Sequence, residues 1–222
     1  MGNRFERYLK KEKWYHGTSL KGWKEICKHK VKAAYNIGNE LDFGHGFYLT
    51  PVKEQAEGFI NNVIKYRKQS ELQGIPFLNE LNDDIEDEIA VVIEFDFQPF
   101  AYYEDQSYNF GIFDKYDVNF TEFVFHNRAN NVHGEKHHNF DLVFGVMSDS
   151  NPIVLINRYK DGIIGKNEVI EGLKKSTSFK QLSIHNQNLC DIIKPCRAYI
   201  IESGEELNVN DYFDTKRYKF TE

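Results

Sequence analysis

The feature that most constrains the fold of this chain is an apolar run at residues 89–97 (IAVVIEFDF). A strand with one face in water alternates apolar and polar residues, whereas a strand covered on both faces reads as a continuous apolar run. The run begins with apolar residues only, from Ile89 to Ile93. We therefore expect an interior strand of a β-sheet here.

Further segments have the short aromatic and β-branched runs that are typical of strands. They are residues 13–18 (KWYHGT), the end of 42–50 (DFGHGFYLT), 140–147 (FDLVFGVM), 181–185 (QLSIH) and 197–201 (RAYII). The chain also contains 18 Phe and 13 Tyr. Flat aromatic rings need flat, well-shaped neighbours, so this content favours a sheet-rich fold.

Capping residues mark where helices between these strands begin. Thr18 or Ser19 can accept a backbone hydrogen bond at a helix start, and Thr50 followed by Pro51 has the order of an N-cap and a first helical residue. Residues 119–122 (NFTE) resemble a capping box. The order of elements predicts an α+β architecture, with a split or two-layer β-sheet and helices packed outside.

The length and composition predict one domain. The chain has 222 residues, of which 41% are hydrophobic, and this length can bury one substantial core. We expect a single domain over residues 1–222, with its core at about 13–202 and a polar C-terminal tail.

Charge and cysteine content narrow the class of protein. The net charge of −6, without a long block of like charges, argues against a protein held on nucleic acid mainly by counterion release, although a cleft can be locally basic. The three cysteines are odd in number and lack CxxC spacing, which predicts a reducing compartment. No segment has the length of a membrane span or the apolar region of a signal peptide. We expect a cytoplasmic protein with no membrane partner.

Two segments differ from ordinary packing sequence. In residues 15–18 (YHGT), His16 lies at a strand end and Gly17 leaves room for a ligand near the backbone. In residues 42–50, glycines at 44 and 46 allow a tight bend, after which Tyr48 points away from the face of its two neighbours. From the residues alone, a histidine satisfied in the core and an ordinary cross-strand aromatic remain open alternatives.

Taken in order, these segments resemble a known family. An HG[ST] strand, a helix, and a DFGxGFYLT strand running into a helix with Gln55 and Ala56 are similar to the H-Y-[E/D/Q] branch of the ADP-ribosyltransferase superfamily. Within that branch the chain resembles the bacterial DUF3990 family. The resemblance continues through VVIEFDF, EFVFHNR, FDLVFGVMSD, DGII…EVIEGLKK and KQLSIHN, and it covers about residues 13–192.

The resemblance implies an ADP-ribosyltransferase-like fold and a reaction with NAD. It assigns His16 to the adenosine ribose and Tyr48 to stacking on nicotinamide, with Gly17 and Thr18 contacting the nicotinamide amide or ribose. Stacking suits a pyridinium on a phenol ring. The rest of the NAD-binding segment comprises Asp42, Phe43, Gly44, Gly46 and Phe47. We expect His16 and Tyr48 to come from neighbouring strands that line one NAD cleft.

The third motif departs from the family pattern. Many relatives have Glu where this chain has Gln181, and a glutamine can hold the ribose 2′-hydroxyl but contributes no negative charge. An oxocarbenium-like transition state calls for a carboxylate. Glu122 is a candidate for that carboxylate, or else a capping residue. Asn127 and Arg128 can bind the NAD pyrophosphate or the acceptor, and Arg128 is equally suited to a structural ion pair.

The leading hypothesis is therefore an NAD-dependent mono-ADP-ribosyltransferase, with His16, Tyr48, Gln181 and Glu122 as catalytic candidates. The resemblance further implies a toxin of a toxin–antitoxin or phage-defence system, with an RNA, DNA or protein acceptor and a neutralising antitoxin protein. One alternative is a catalytically silent NAD-binding module.

A metal-dependent nuclease is the remaining alternative. It would use a histidine-rich stretch whose members are His126, His133, His137, His138 and Asp141. HxxxH spacing on a helix would place two imidazoles on one face, but the asparagines and glycine of this stretch favour a loop. We therefore expect no bound metal.

Overall fold

The computed structural model describes residues 4–34, 41–72, 85–129, 138–148, 152–174 and 179–214. In chain order its elements are α1 (Glu6–Leu9), β1 (Lys13–Ser19), α2 (Leu20–His29), β2 (Phe47–Leu49), α3 (Lys53–Leu72), a 3₁₀-helix (Ile85–Glu88), β3 (Ala90–Asp96), α4 (Pro99–Glu104), β4 (Phe110–Phe113), α5 (Val118–Ala129), β5 (Leu142–Val146), α6 (Pro152–Lys160), α7 (Lys166–Leu173), β6 (Lys180–Ile184), α8 (Gln187–Ile192), β7 (Lys194–Ile200), β8 (Glu206–Leu207) and α9 (Asn210–Phe213). The α+β class is confirmed.

The chain forms two compact units, and each is built from three segments. The β1 unit comprises Glu12–Val31, Thr50–Phe97 and Ile193–Glu222. The β2 unit comprises Met1–Lys11, Lys32–Leu49 and Gln98–Ile192. Each contains one four-stranded sheet among the described residues. The expectation of one domain over residues 1–222 stays a prediction, and the C-terminal tail beyond residue 214 lies outside the described residues.

The sheet of the β1 unit has the strand order β1-β3-β7-β8, with every neighbouring pair antiparallel. Strand β3 is interior, as the apolar run predicts, and Val91, Val92, Ile93 and Phe95 along it are fully buried. Helix α3 packs on this sheet, with buried Ala56 contributing to a cluster with Val92. The sequence thus specifies the centre of this sheet directly.

The sheet of the β2 unit has the order β2-β6-β5-β4. Strands β4 and β5 are parallel, and the other neighbouring pairs are antiparallel. Every residue of β5 is buried, because α5 and α7 contribute buried apolar side chains to the core cluster that also contains Val143 and Val146. Strand β4 was not predicted. It is short, and its GI sequence between two phenylalanines lacks a strong alternating pattern.

The helix starts partly match the capping residues. Ser19 is the N-cap of α2, since its Oγ accepts a hydrogen bond from the Gly22 amide at 3.1 Å. The Asn119 capping box is wrong: α5 begins at Val118, and the Asp117 carboxylate accepts from the Phe120 amide at 3.0 Å. Aspartate takes the cap because it lies just before the helix, where the side chain can reach the first orphan amides.

The start of α3 lies later than the Thr50–Pro51 pair indicates. The helix begins at Lys53, and Thr50 instead forms an isolated antiparallel bridge with Tyr15, with backbone hydrogen bonds of 2.9 Å in both directions. Thr50 Oγ1 still accepts from the Val52 amide at 3.3 Å. The residue therefore ends an extended segment and stabilises the turn before the helix.

In the described part of the chain, no helix is long and apolar enough to cross a bilayer.

Candidate functional site

The turn before β2 is held in a shape that requires glycine. Gly44 has a φ of +75°, in the left-handed region that favours glycine. At Gly46 an added Cβ would overlap the Ser183 hydroxyl and approach the His185 ring to 2.8 Å. The two glycines thus let the turn bend and let β6 approach it closely. The tight bend expected here is present, and the neighbour it accommodates is β6.

Tyr48 is anchored to this turn through its hydroxyl group. The hydroxyl donates to the Gly44 carbonyl at 2.7 Å and accepts from the Phe43 amide at 3.1 Å. The ring lies against the Phe43 ring, with centroids 6.3 Å apart and planes at 21°. Burial, followed by the nearby Asp42 charge, raises the pKa of Tyr48. The residue as a whole is half-buried, so any ligand contact would come through the ring.

The burial pattern of β2 matches the predicted alternation. Phe47 and Leu49 are buried, and Tyr48 between them is less so. Phe43 is fully buried and belongs to the main core cluster of the β2 unit. Both phenylalanines proposed for NAD binding therefore serve as core residues that hold the turn in place.

Asp42 lies at the centre of a buried polar network. Its carboxylate accepts from Arg128 Nε at 2.9 Å and Nη2 at 2.7 Å. Ser148 donates its backbone amide at 3.0 Å and its hydroxyl at 2.7 Å. Gln181 Nε2 donates at 2.9 Å. The structure thus brings together three predicted site residues from three distant motifs.

The network keeps Asp42 ionised although it is only 4% exposed. Burial alone would raise the pKa of this carboxyl, but the Arg128 charge and the two Ser148 hydrogen bonds outweigh burial and lower it. A buried carboxylate with an ion-pair partner and several donors is satisfied. Arg128 therefore forms a structural ion pair, which is one of the two roles that the sequence predicted for it.

The orientation of the Gln181 amide follows from its partners. Its Nε2 lies 2.9 Å from Asp42 Oδ2 and 3.3 Å from the Val146 carbonyl oxygen. Both partners are acceptors, so the nitrogen must face them and Oε1 must point elsewhere. Within the described residues Oε1 accepts no hydrogen bond. Gln181 therefore presents an acceptor and no charge.

Glu122 and Asn127 lie on α5 but take no part in the Asp42 hydrogen bonds. Glu122 is 45% exposed and forms a surface ion pair with Lys166 at 3.2 Å. Asn127 is buried, and its Nδ2 donates to the Phe123 carbonyl one helical turn earlier at 3.0 Å. The catalytic role of Glu122 and the pyrophosphate-binding role of Asn127 therefore stay predictions.

Histidines also contact the glycine turn. His138 Nδ1 accepts from the Phe140 amide at 3.1 Å, so its Nε2 carries the proton and donates to the Phe43 carbonyl at 2.8 Å. His185 Nδ1 contacts the His45 carbonyl. Among the described residues no group of His, Cys, Asp or Glu is arranged to hold a metal ion. His133 and His137 of the nuclease alternative lie outside the described residues.

The first motif lies in the β1 unit. Gly17 faces α3, because a Cβ there would overlap the Ala56 carbonyl oxygen and come within 3.1 Å of Ile60. Close helix packing therefore requires this glycine. His16 and Thr18 lie on the opposite face of β1 and are half-buried, and His16 pairs in register with Ile93. Strands β1 and β2 belong to different sheets, and the expectation that His16 and Tyr48 line one NAD cleft stays a prediction.

Sequence reasoning missed Ser148 and the role of Asp42 as the network's centre. Ser148 lies two residues after the apolar strand β5, and a polar residue just beyond a strand end is the signal that could have marked it. Asp42 was assigned to the cofactor because it begins the glycine segment. Its partners lie 86, 106 and 139 residues further along the chain, and single-sequence patterns do not reveal such pairings.

The fold and the site define an α+β protein in which a buried acid–guanidinium–amide network lies beside a glycine turn. A family model described as "Protein of unknown function (DUF3990)" matches residues 13–194. This span is most of the chain, and the chain belongs to the DUF3990 family. Comparison with curated proteins and with solved structures found no match.

Proposed function

We propose that the protein is an NAD-dependent mono-ADP-ribosyltransferase. The observation that carries this proposal is the Asp42 network, in which residues of the second motif, of the EFVFHNR segment and of the third motif meet through hydrogen bonds. Motifs far apart in sequence that converge on one buried polar cluster are typical of a functional site. The ADP-ribosyltransferase resemblance supplies the reaction.

The reaction has a simple balance. The bond between the nicotinamide nitrogen and the ribose carbon breaks, nicotinamide leaves as a neutral ring, and the acceptor's nucleophile takes its place and releases its proton. Tyr48 would stack on nicotinamide, and its ring is fixed for this role because its hydroxyl is tied to the turn. Gln181 would accept from the ribose 2′-hydroxyl through Oε1. His16 would hold the adenosine ribose, a role that rests on the resemblance alone.

The proposed site offers little negative charge for the transition state. Gln181 is neutral, the Asp42 charge is matched by Arg128 at 2.7 Å, and Glu122 pairs with Lys166 at the surface. A transferase of this kind would depend on stacking, hydrogen bonds and the acceptor's own nucleophile. The same observation favours a second candidate, a catalytically silent module that binds intact NAD.

The wider role is proposed from the resemblance. We propose a cytoplasmic toxin of a toxin–antitoxin or phage-defence system, which modifies RNA, DNA or protein and is neutralised by an antitoxin protein. The test is incubation with NAD labelled on the adenylate moiety, together with cell RNA, DNA or lysate proteins. Label transferred to one class identifies the acceptor. Absence of transfer, with calorimetric binding of intact NAD and no nicotinamide release, selects the silent module.

A pair of variants tests Tyr48 directly. Tyr48→Ala is expected to reduce NAD use about tenfold, because a lost aromatic stack is worth about 1–1.5 kcal/mol. Tyr48→Phe is the matched control, which keeps the ring and loses the hydroxyl contacts to the turn. It should keep NAD use within about threefold while lowering stability by about 1 kcal/mol. Equal losses in the two variants would remove the stacking role.

A further inference from the structure

The third-motif glutamine, Gln181, and the second-motif aspartate, Asp42, are hydrogen-bonded to each other in the β2 unit. Gln181 Nε2 lies between two acceptors, Asp42 Oδ2 at 2.9 Å and the Val146 carbonyl at 3.3 Å. Because a carboxylate accepts and never donates, the Gln181 amide cannot turn over without placing its oxygen against the Asp42 charge. The carboxylate therefore sets which end of the amide is presented.

Asp42 can set this orientation because it is itself fixed. Arg128 donates two hydrogen bonds to Oδ1, and the Ser148 hydroxyl donates a third at 2.7 Å. The Ser148 amide donates to Oδ2 at 3.0 Å. The carboxylate is 4% exposed and Gln181 is 8% exposed, so water does not compete strongly for these hydrogen bonds.

We propose that Asp42 is a positioning residue that locks the Gln181 amide with its oxygen outward, so that this position selects a hydrogen-bond donor such as a sugar hydroxyl. The ligand part of this inference rests on the proposed NAD reaction. A phosphate or carboxylate of a ligand would find an acceptor there and be disfavoured. Ser148 acts through Asp42, by holding the carboxylate in place.

The same geometry favours a glutamine over a glutamate at position 181. A glutamate at position 181 would place its carboxylate about 3 Å from that of Asp42, and two such like charges in a buried site repel strongly. Glutamine supplies a donor to Asp42 and still offers an acceptor. The glutamine at position 181 is thus matched to the aspartate at position 42.

A double-mutant cycle tests whether Asp42 fixes the orientation of the Gln181 amide. The variants are Gln181→Glu, Asp42→Asn and the double variant, in which an asparagine amide can donate to the new carboxylate while the site keeps one acid and Arg128. We expect Gln181→Glu to lower Tm by about 10 °C and the double variant to recover at least about half of that loss. A double variant less stable than Gln181→Glu would overturn the inference, even if Asp42→Asn alone does not fold.

A matched control makes the same substitution beside an aspartate at the surface. Gln187 Nε2 donates to the exposed Asp191 at 2.7 Å, so Gln187→Glu creates a similar carboxylate pair in water. It should change Tm by less than about 3 °C, because surface charge pairs have little energetic weight. An equal loss at both positions would show that burial of the Asp42 network is not the cause.

NAD affinity then tests whether the orientation of Gln181 by Asp42 contributes to ligand binding. Ser148→Ala removes one donor to Asp42 and should fold; calorimetry well below its Tm should show an NAD Kd raised about threefold or more. A folded variant with an unchanged Kd would overturn the positioning role. If the wild-type protein binds no NAD, the proposed function fails, and the ligand part of this inference with it; the cycle still decides whether Asp42 orients Gln181.

Discussion

Two ionic clusters of the molecule contain similar groups in opposite surroundings. In the β2 unit, Asp42 and Arg128 are 4% and 7% exposed at the side chain and pair at 2.7 Å. In the β1 unit, Lys13 is 44% exposed and contacts Asp96 at 2.7 Å and Glu94 at 3.1 Å. The distances are alike. What differs is the water around the charges.

The difference teaches that ion-pair distance alone does not rank these clusters. A buried pair has lost its hydration, so removing one partner leaves an unsolvated charge and costs much. An exposed pair exchanges protein contacts for water at little loss. We therefore expect substitutions in the Asp42 cluster to lower the free energy of unfolding strongly and substitutions in the Lys13 cluster to lower it only slightly. Variants of each cluster test that contrast.

The largest effect is expected from Arg128→Met. This change leaves Asp42 buried without its cation and should lower the free energy of unfolding by about 3–5 kcal/mol. Urea denaturation followed by circular dichroism measures it. The double variant Asp42→Asn, Arg128→Met should regain part of the loss, because no buried charge then remains. A loss below about 1 kcal/mol in the single variant would show that the pair is not buried in solution.

Acid pH should remove the contribution of Asp42. Its pKa is lowered in the folded state, so its stabilisation is present above the unfolded pKa of about 3.9 and is lost as pH falls through the folded pKa. The difference in unfolding free energy between the wild type and Asp42→Asn should therefore shrink below about pH 4. A difference that stays constant into strong acid would contradict the lowered pKa.

The smallest effect is expected from Lys13→Met, with a loss below about 1 kcal/mol at neutral pH. The hydrogen bonds that Lys13 donates to Asp96, and then to Cys196 and Glu94, raise its pKa. Its contribution is therefore present below the unfolded pKa of about 10.4 and is lost as pH rises through the folded pKa. The pH dependence is thus opposite to that of Asp42. A loss matching that of Arg128→Met would break the contrast between the two clusters.

The sequence predicted the parts of the fold that depend on local pattern. The continuous apolar run became the interior strand β3, and Ser19 caps α2 because its hydroxyl reaches an amide three residues on. Strand β4 and its parallel pairing with β5 were missed, because parallel pairing joins segments about thirty residues apart without a turn signal. Elements with a local sequence signal can therefore be predicted from one sequence, whereas the pairing of distant strands cannot.

The candidate site shows the same limit. The glycines of the second motif were recognised, and the alternation around Tyr48 is confirmed. At Gly17 the close neighbour is the backbone of α3 at Ala56, and the predicted ligand contact of this glycine stays a prediction. The partners of Asp42 were not predictable, because its cluster forms only when α5, β6 and the end of β5 pack together.

The strand order of the β1 unit has a consequence for how the chain emerges from the ribosome. Strand β3 lies between β1 and β7, and β7 begins at Lys194. During translation, β1 and β3 are complete roughly a hundred residues before that second neighbour appears. In the interval one edge of the most apolar strand is open, so nascent or prematurely ended chains carry a surface that can pair with other strands. Chaperone capture and aggregation should therefore concentrate on incomplete products.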